Sequence, residues 1–172
     1  MTDRFTECLV KKTPDSNDNL KKILIIIAVI AITAITAFLA FTTGLYLILI
    51  ITMAVIYGSY YLFKGICVEY EYTFTNGEID VDKITGQSKR QHLVTLNSKE
   101  IEDFGEVNAD TPERPDITLF LCSDNTGIGE YYVDFTTEEY GEARLIFTPS
   151  DKMVSYIEEA LPPILKYKKR NI

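Results

Sequence analysis

The chain's apolar and polar positions follow one period up to about residue 64 and another after it. From Ile23 to Phe63 there is no Asp, Glu, Lys, Arg or His. As a helix these roughly 41 residues would measure about 61 Å, twice the ~30 Å hydrocarbon thickness of a bilayer. Thr42-Thr43-Gly44 is the only place near the middle where polar residues and a glycine meet. The pattern predicts a transmembrane helical hairpin over 23–64, with spans at about 23–41 and 45–63 and a tight turn between them. Thr33/Ala37, Thr36/Ala40 and Ala54/Gly58 place small residues four apart, the spacing that lets helices approach closely in lipid, within one hairpin or between two. Tyr57, Tyr60 and Tyr61 read as an interfacial belt.

Beyond Gly65 the period becomes two. Tyr70, Tyr72 and Phe74 alternate with Glu69, Glu71, Thr73 and Thr75, and Asn76-Gly77 supplies a two-residue hairpin turn into Glu78–Ile84. A second turn at Thr85–Ser88 leads to a strand over Lys89–Leu96. Further strands are expected at Glu100–Val107, Asp116–Ser123, Glu130–Phe135 and Ala143–Phe147, with a Pro-rich loop at Asn108–Pro115. Thr148 as N-cap and Pro149 at the first helical position start a C-terminal helix over about 149–161, which Pro162-Pro163 ends. Lys166, Lys168, Lys169 and Arg170 form a basic tail, open to two readings: a solvated end, or contact with anionic lipid.

Residues 1–22 read as a cytoplasmic leader. Phe5, Cys8 and Leu9 fall at helical spacing, suggesting one or two turns on the membrane surface, and Thr13–Asn19 reads as a loop. A secretory signal is not expected, because the apolar run comes late and is too long.

Charge adds orientation. The chain carries a formal −8, yet Lys11, Lys12, Lys21, Lys22 and Lys64 flank the hairpin while its turn has no charge. The positive-inside rule then places a multi-pass protein in the cell (inner or plasma) membrane with both termini cytoplasmic. Residues 66–172 hold 21 acidic against 11 basic side chains, which disfavours nucleic acid as a partner and broad adhesion to anionic lipid. The hairpin itself lacks the ionisable groups usual in ion pathways.

No grouping matches a nucleotide loop, a nucleophile elbow or a zinc motif, so no catalytic, cofactor-binding or metal residue is assigned. No small-molecule substrate is evident and an enzyme is not expected. Cys8, Cys67 and Cys122 share no ligand spacing and read as small hydrophobes, with metal ligation or a disulfide the other readings. His92 is the only histidine, so any triad or zinc site would be built around it alone. The acidic strand face Glu69, Glu71, Glu78, Asp80 and Asp82 admits a divalent cation, or a solvated face relieved by Lys89 or Arg90.

Seven strands closed by a C-terminal helix is the element count of the pleckstrin-homology (PH) fold. The run from Tyr70 through Asn76-Gly77-Glu78-Ile79-Asp80-Val81-Asp82-Lys83-Ile84 to Lys89-Arg90 resembles an uncharacterised family of small bacterial membrane proteins with a two-helix transmembrane hairpin and a PH-like cytoplasmic domain. The resemblance implies an α+β membrane protein: a hairpin, then a mainly antiparallel β domain over 65–172 closed by a helix. It implies no established activity. Head-group binding by the usual PH route needs basic residues between the first two strands, where this chain has Asn76-Gly77 and then Glu78. The expected function is a membrane-anchored, non-enzymatic interaction module that meets a protein partner or itself. The alternative is an accessory or regulatory subunit of a transporter or channel.

Overall fold

A computed structural model describes residues 4–170 of the chain, with their side chains as far as Tyr167. Two units result. One is helical, Pro14–Val68 with Thr85–Ser88; the other takes the chain up to Thr13, Glu69–Ile84 and everything from Lys89 on. The element order is β1 (Phe5–Lys11), α1 (Ser16–Thr43), α2 (Leu49–Ile66), β2 (Val68–Thr75), β3 (Glu78–Thr85), β4 (Lys89–Asn97), β5 (Ile101–Glu106), β6 (Thr118–Leu121), β7 (Tyr131–Thr137), β8 (Gly141–Phe147), α3 (Asp151–Ala160) and α4 (Pro163–Arg170).

In the helical unit, Asp15 caps α1 by accepting from the Asp18 amide at 2.7 Å, and Asp18 reaches back to the Asp15 amide at 3.5 Å. This reciprocal box makes Ser16–Asn19 the first helical turn, where composition suggested a loop. The helix stops at Gly44, whose φ of 70° suits glycine and whose amide donates to the Ala40 carbonyl at 3.0 Å. A 3₁₀ turn at Tyr46–Ile48 then leads into α2, which continues through Lys64 and Gly65 to Ile66, beyond the expected end at residue 63. Of the small-residue pairs, Thr36/Ala40 is buried. The Thr36 hydroxyl donates to the Ile32 carbonyl at 2.8 Å and accepts from Thr52 at 2.7 Å, joining α1 to α2. Ala54 and Gly58 are exposed, Gly58 lining an open groove with Val29 and Ile32 of α1. Both helices are long and apolar enough to cross a membrane, and most of their large side chains are exposed, Phe41 to 85% and Met53 to 71%.

The β unit holds two four-stranded sheets, ordered β1-β2-β3-β4 and β5-β7-β8-β6, with β6 parallel to β8. The expected seven strands are all present as β2–β8. The addition is β1, which corrects the expectation of a surface helix within a separate leader. Residues 5–11 pair antiparallel with β2, Phe5 opposite Thr75 and Lys11 opposite Glu69. Thr6, Cys8 and Val10 therefore share a face with Phe74, Tyr72 and Tyr70. The β domain accordingly begins before the hairpin and is not confined to 65–172. Asn76 (φ 51°) and Gly77 (φ 101°) make the expected hairpin turn; a Cβ on Gly77 would meet the Ser98 hydroxyl at 2.8 Å.

The two sheets and α3 fill one core: Tyr72, Phe74, Ile79, Val81 and Leu96 from the first sheet, Val133, Phe135, Leu145 and Phe147 from the second, and Met153 and Ile157 from the helix. The N-cap of α3 is Ser150, which accepts from the Met153 amide. The expected cap, Thr148, instead accepts from the Asp124 amide at 3.1 Å, leaving Pro149 outside the helix. Pro162-Pro163 ends α3 as expected, but Pro163 also opens α4, so the basic tail is helical through Arg170.

Tyr72 ties the sheets together. Its hydroxyl donates to the Cys122 carbonyl and accepts from the Thr148 amide at 3.4 Å, and its ring meets Phe147 edge-on at 5.4 Å. Burial raises the Tyr70 and Tyr72 phenols above their ordinary 10.0 and pushes the Cys122 thiol from 9.0 up to about 12. The folded chain thus keeps protons that the unfolded chain releases. Between pH 7 and 9 these groups leave stability level; above about pH 9 for Cys122 and about pH 10 for Tyr72 it should fall by about 1.4 kcal/mol per pH unit for each, with Tyr70 acting in the same direction. Urea midpoints of the detergent-solubilised chain between pH 7 and 11 measure this; a flat profile would contradict it.

Candidate interaction surface

The outward face of the first sheet carries the acidic residues of β2 and β3. Arg90, from β4, reaches between them, pairing with Glu71 and with Asp82 at 3.3 Å, and Lys11 of β1 lies opposite Glu69. This is the relief expected from Lys89 or Arg90, and Arg90 provides it. His92 joins the same face: its Nδ1 lies 2.9 Å from Asp82 and its Nε2 3.2 Å from the Thr95 hydroxyl, which itself donates to Asp80. Carboxylate, imidazole and hydroxyl stand in sequence, and the Thr95 hydroxyl is shared between Asp80 and the ring. Glu78 is exposed at the start of β3. Among the described residues no three His, Cys, Asp or Glu side chains are grouped to hold a metal ion. Cys8 and Cys67 are half-buried, Cys122 is buried, and all three are free thiols.

The second sheet carries a buried ionic network that the sequence reading missed. Asp134 of β7 and Arg144 of β8 are paired across the ladder, 4% and 6% exposed. Arg144 grips both carboxylate oxygens, Nε to Oδ1 at 2.6 Å and Nη2 to Oδ2 at 2.8 Å, and its Nη1 donates to the Pro112 carbonyl at 2.6 Å. The hydrogen bond to Asp134 holds the guanidinium above its ordinary value. Its Cζ lies 4.8 Å from the centre of the Tyr132 ring, and the Tyr132 hydroxyl donates to Asp103 at 3.2 Å. Arg114 completes the chain, bridging Asp134 and Glu142. The signal in the sequence was one charge placed inside each of two apolar strands, Tyr-Tyr-Val-Asp-Phe and Ala-Arg-Leu-Ile-Phe, which calls for a partner at the matching register.

Every strong charge in this network is answered by another, so it offers a rigid floor and no free acid or base. Beside it opens a groove of about 550 Å³ lined by Arg114, Asp116, Thr118, Tyr140 and Glu142. The groove runs to β6, which among the described residues is an edge strand paired only with β8, and where Leu119 and Leu121 are 51% and 61% exposed. Arg114 and Pro112 hold the segment leading into β6 against the ionic network, so this edge rests on a fixed support.

No match was found among curated proteins or solved structures. A family model described as "Bacterial PH-like domain (DUF6106)" matches residues 2–166, a span that takes in β1, both apolar helices and the two sheets with their closing helix. The chain therefore belongs to the bacterial PH-like domain family, and its α+β fold is PH-like.

Proposed function

We propose that the chain is a membrane-anchored, non-enzymatic interaction module, whose hairpin holds the PH-like unit at the cytoplasmic face of the cell membrane for a protein partner. The observation that carries this reading is the exposed apolar surface of α1 and α2. In water such a surface would be strongly unfavourable, whereas lipid solvates it. The ladder adds support: β1 and β2, which flank the hairpin in sequence, pair with each other, as expected of two spans that leave and return on one side. The flanking lysines favour the cytoplasmic side.

The natural docking edge is β6, where a partner strand can add to the open ladder and cover Leu119 and Leu121. In cells, the full chain should stay in the membrane pellet through alkaline carbonate extraction. A photo-crosslinker at residue 119 should yield one recurrent protein adduct, lost on Leu121→Asp. Release by carbonate would refute the anchor, and crosslinking no different from that at an exposed control position would refute the docking edge.

A further inference from the structure

The C-terminal helix α4 combines basic residues with exposed apolar side chains. Four of the five residues 166–170 are basic, on a chain whose formal charge is −8. On the same short helix Ile164 is 82% and Tyr167 67% exposed, three positions apart and so on one face. Its start is fixed, because Leu161 is buried in the β unit just before it, and Lys166 donates to the Glu159 carbonyl at 2.6 Å. A lone exposed isoleucine needs no explanation. Here an aliphatic and an aromatic side chain are exposed on a rooted helix whose sequence carries four cations among residues 166–170, the composition of an interfacial membrane helix.

We propose that α4 is a lipid-contact element that lays Ile164 and Tyr167 into the surface of an anionic bilayer while the basic block meets its headgroups. The occupant is argued from complementarity: cations beside exposed apolar side chains match a surface that is anionic outside and apolar beneath, as an anionic bilayer is. A bilayer is already at hand if the hairpin spans one, and this inference rests on that anchoring. Eight residues with two apolar contacts would bind a membrane weakly from solution, but the anchor makes the contact intramolecular, so weak intrinsic affinity suffices. The attraction should weaken as salt shortens the Debye length.

The chain contains no tryptophan, so Ile164→Trp gives a single reporter at an exposed position. The full-length variant is reconstituted into vesicles of phosphatidylcholine alone, or of phosphatidylcholine with phosphatidylglycerol, each with and without brominated acyl chains. In the anionic vesicles the emission should shift to the blue and lose most of its intensity to brominated lipid. In the neutral vesicles, in high salt, and in the K166Q, K168Q, K169Q and R170Q combination it should remain water-like. Flotation of the protein with both kinds of vesicle reports the anchor separately. Flotation with water-like emission throughout overturns this inference and leaves the anchor standing; failure to float overturns both. A blue shift equal in neutral and anionic vesicles and indifferent to salt assigns the face to protein contact, and also overturns it.

Discussion

Replacing Arg144 with alanine should destabilise the β unit by about 3–5 kcal/mol, a large part of the ~5–15 kcal/mol that holds a domain together. The carboxylate of Asp134 would stay 4% exposed with only Arg114, at 3.3 Å, to answer it, and the Pro112 carbonyl would lose its donor. The loss should not be read as the worth of the pair, since most of it is the cost of leaving a buried charge unmatched. An Arg144→Met, Asp134→Leu double variant removes both charges and should recover most of the stability. Thermal melting of the detergent-solubilised chain, followed by the protease resistance of the β unit, measures both. A single variant that melts with the parent would show that the network is not needed.

Removing the residues up to Lys11, so that the chain starts at Lys12, should cost the β unit about 3 kcal/mol or more, counting each lost ladder hydrogen bond at about 0.5–1.5 kcal/mol net. The deletion takes a seven-residue strand from the edge of the first sheet and uncovers β2, along with the Arg4–Glu159 ion pair at 2.8 Å that links β1 to α3. Proteolysis of the β unit should accelerate while the hairpin still enters membranes. A synthetic peptide of residues 4–12 should slow it again. A leader that merely lay on the membrane would leave proteolysis unchanged on deletion.

The contrast between β1 and its partner shows which features could be read from sequence. Tyr70, Tyr72 and Phe74 alternate with polar residues, and a two-residue turn follows, so β2 and its hairpin announce themselves. In β1 the inward positions are Thr6, Cys8 and Val10, while Phe5 and Leu9 point outward, 51% and 61% exposed. Its apolar pattern therefore carries the wrong period, and the pairing is supplied by a strand more than fifty residues away. The hairpin was legible because its signal is an absence of charge over a long run, which needs no partner to interpret. The start of α1 was not, because Asp15 and Asp18 look like turn residues until they cap each other. On the acidic face, one neighbouring arginine was enough to foresee Arg90. The Asp134–Arg144 pair depended on cross-strand register and on Pro112 from a distant loop, and neither can be seen in a linear chain.

The placement of the hairpin between β1 and β2 also sets an order of assembly. β1 leaves the ribosome before its partner: Lys11 must wait for Glu69 and Phe5 for Thr75, with both apolar helices between them. Ladder closure is thus delayed until the hairpin has been made and has returned, so it is a long-range step in an otherwise local meander. A chain stalled in its first helix would display an unpaired strand and no sheet, and only a completed hairpin would yield a closed β unit. The first sheet is in this sense a proofreader of the hairpin, since its edge strand can dock only after the two helices have brought the chain back to where it started.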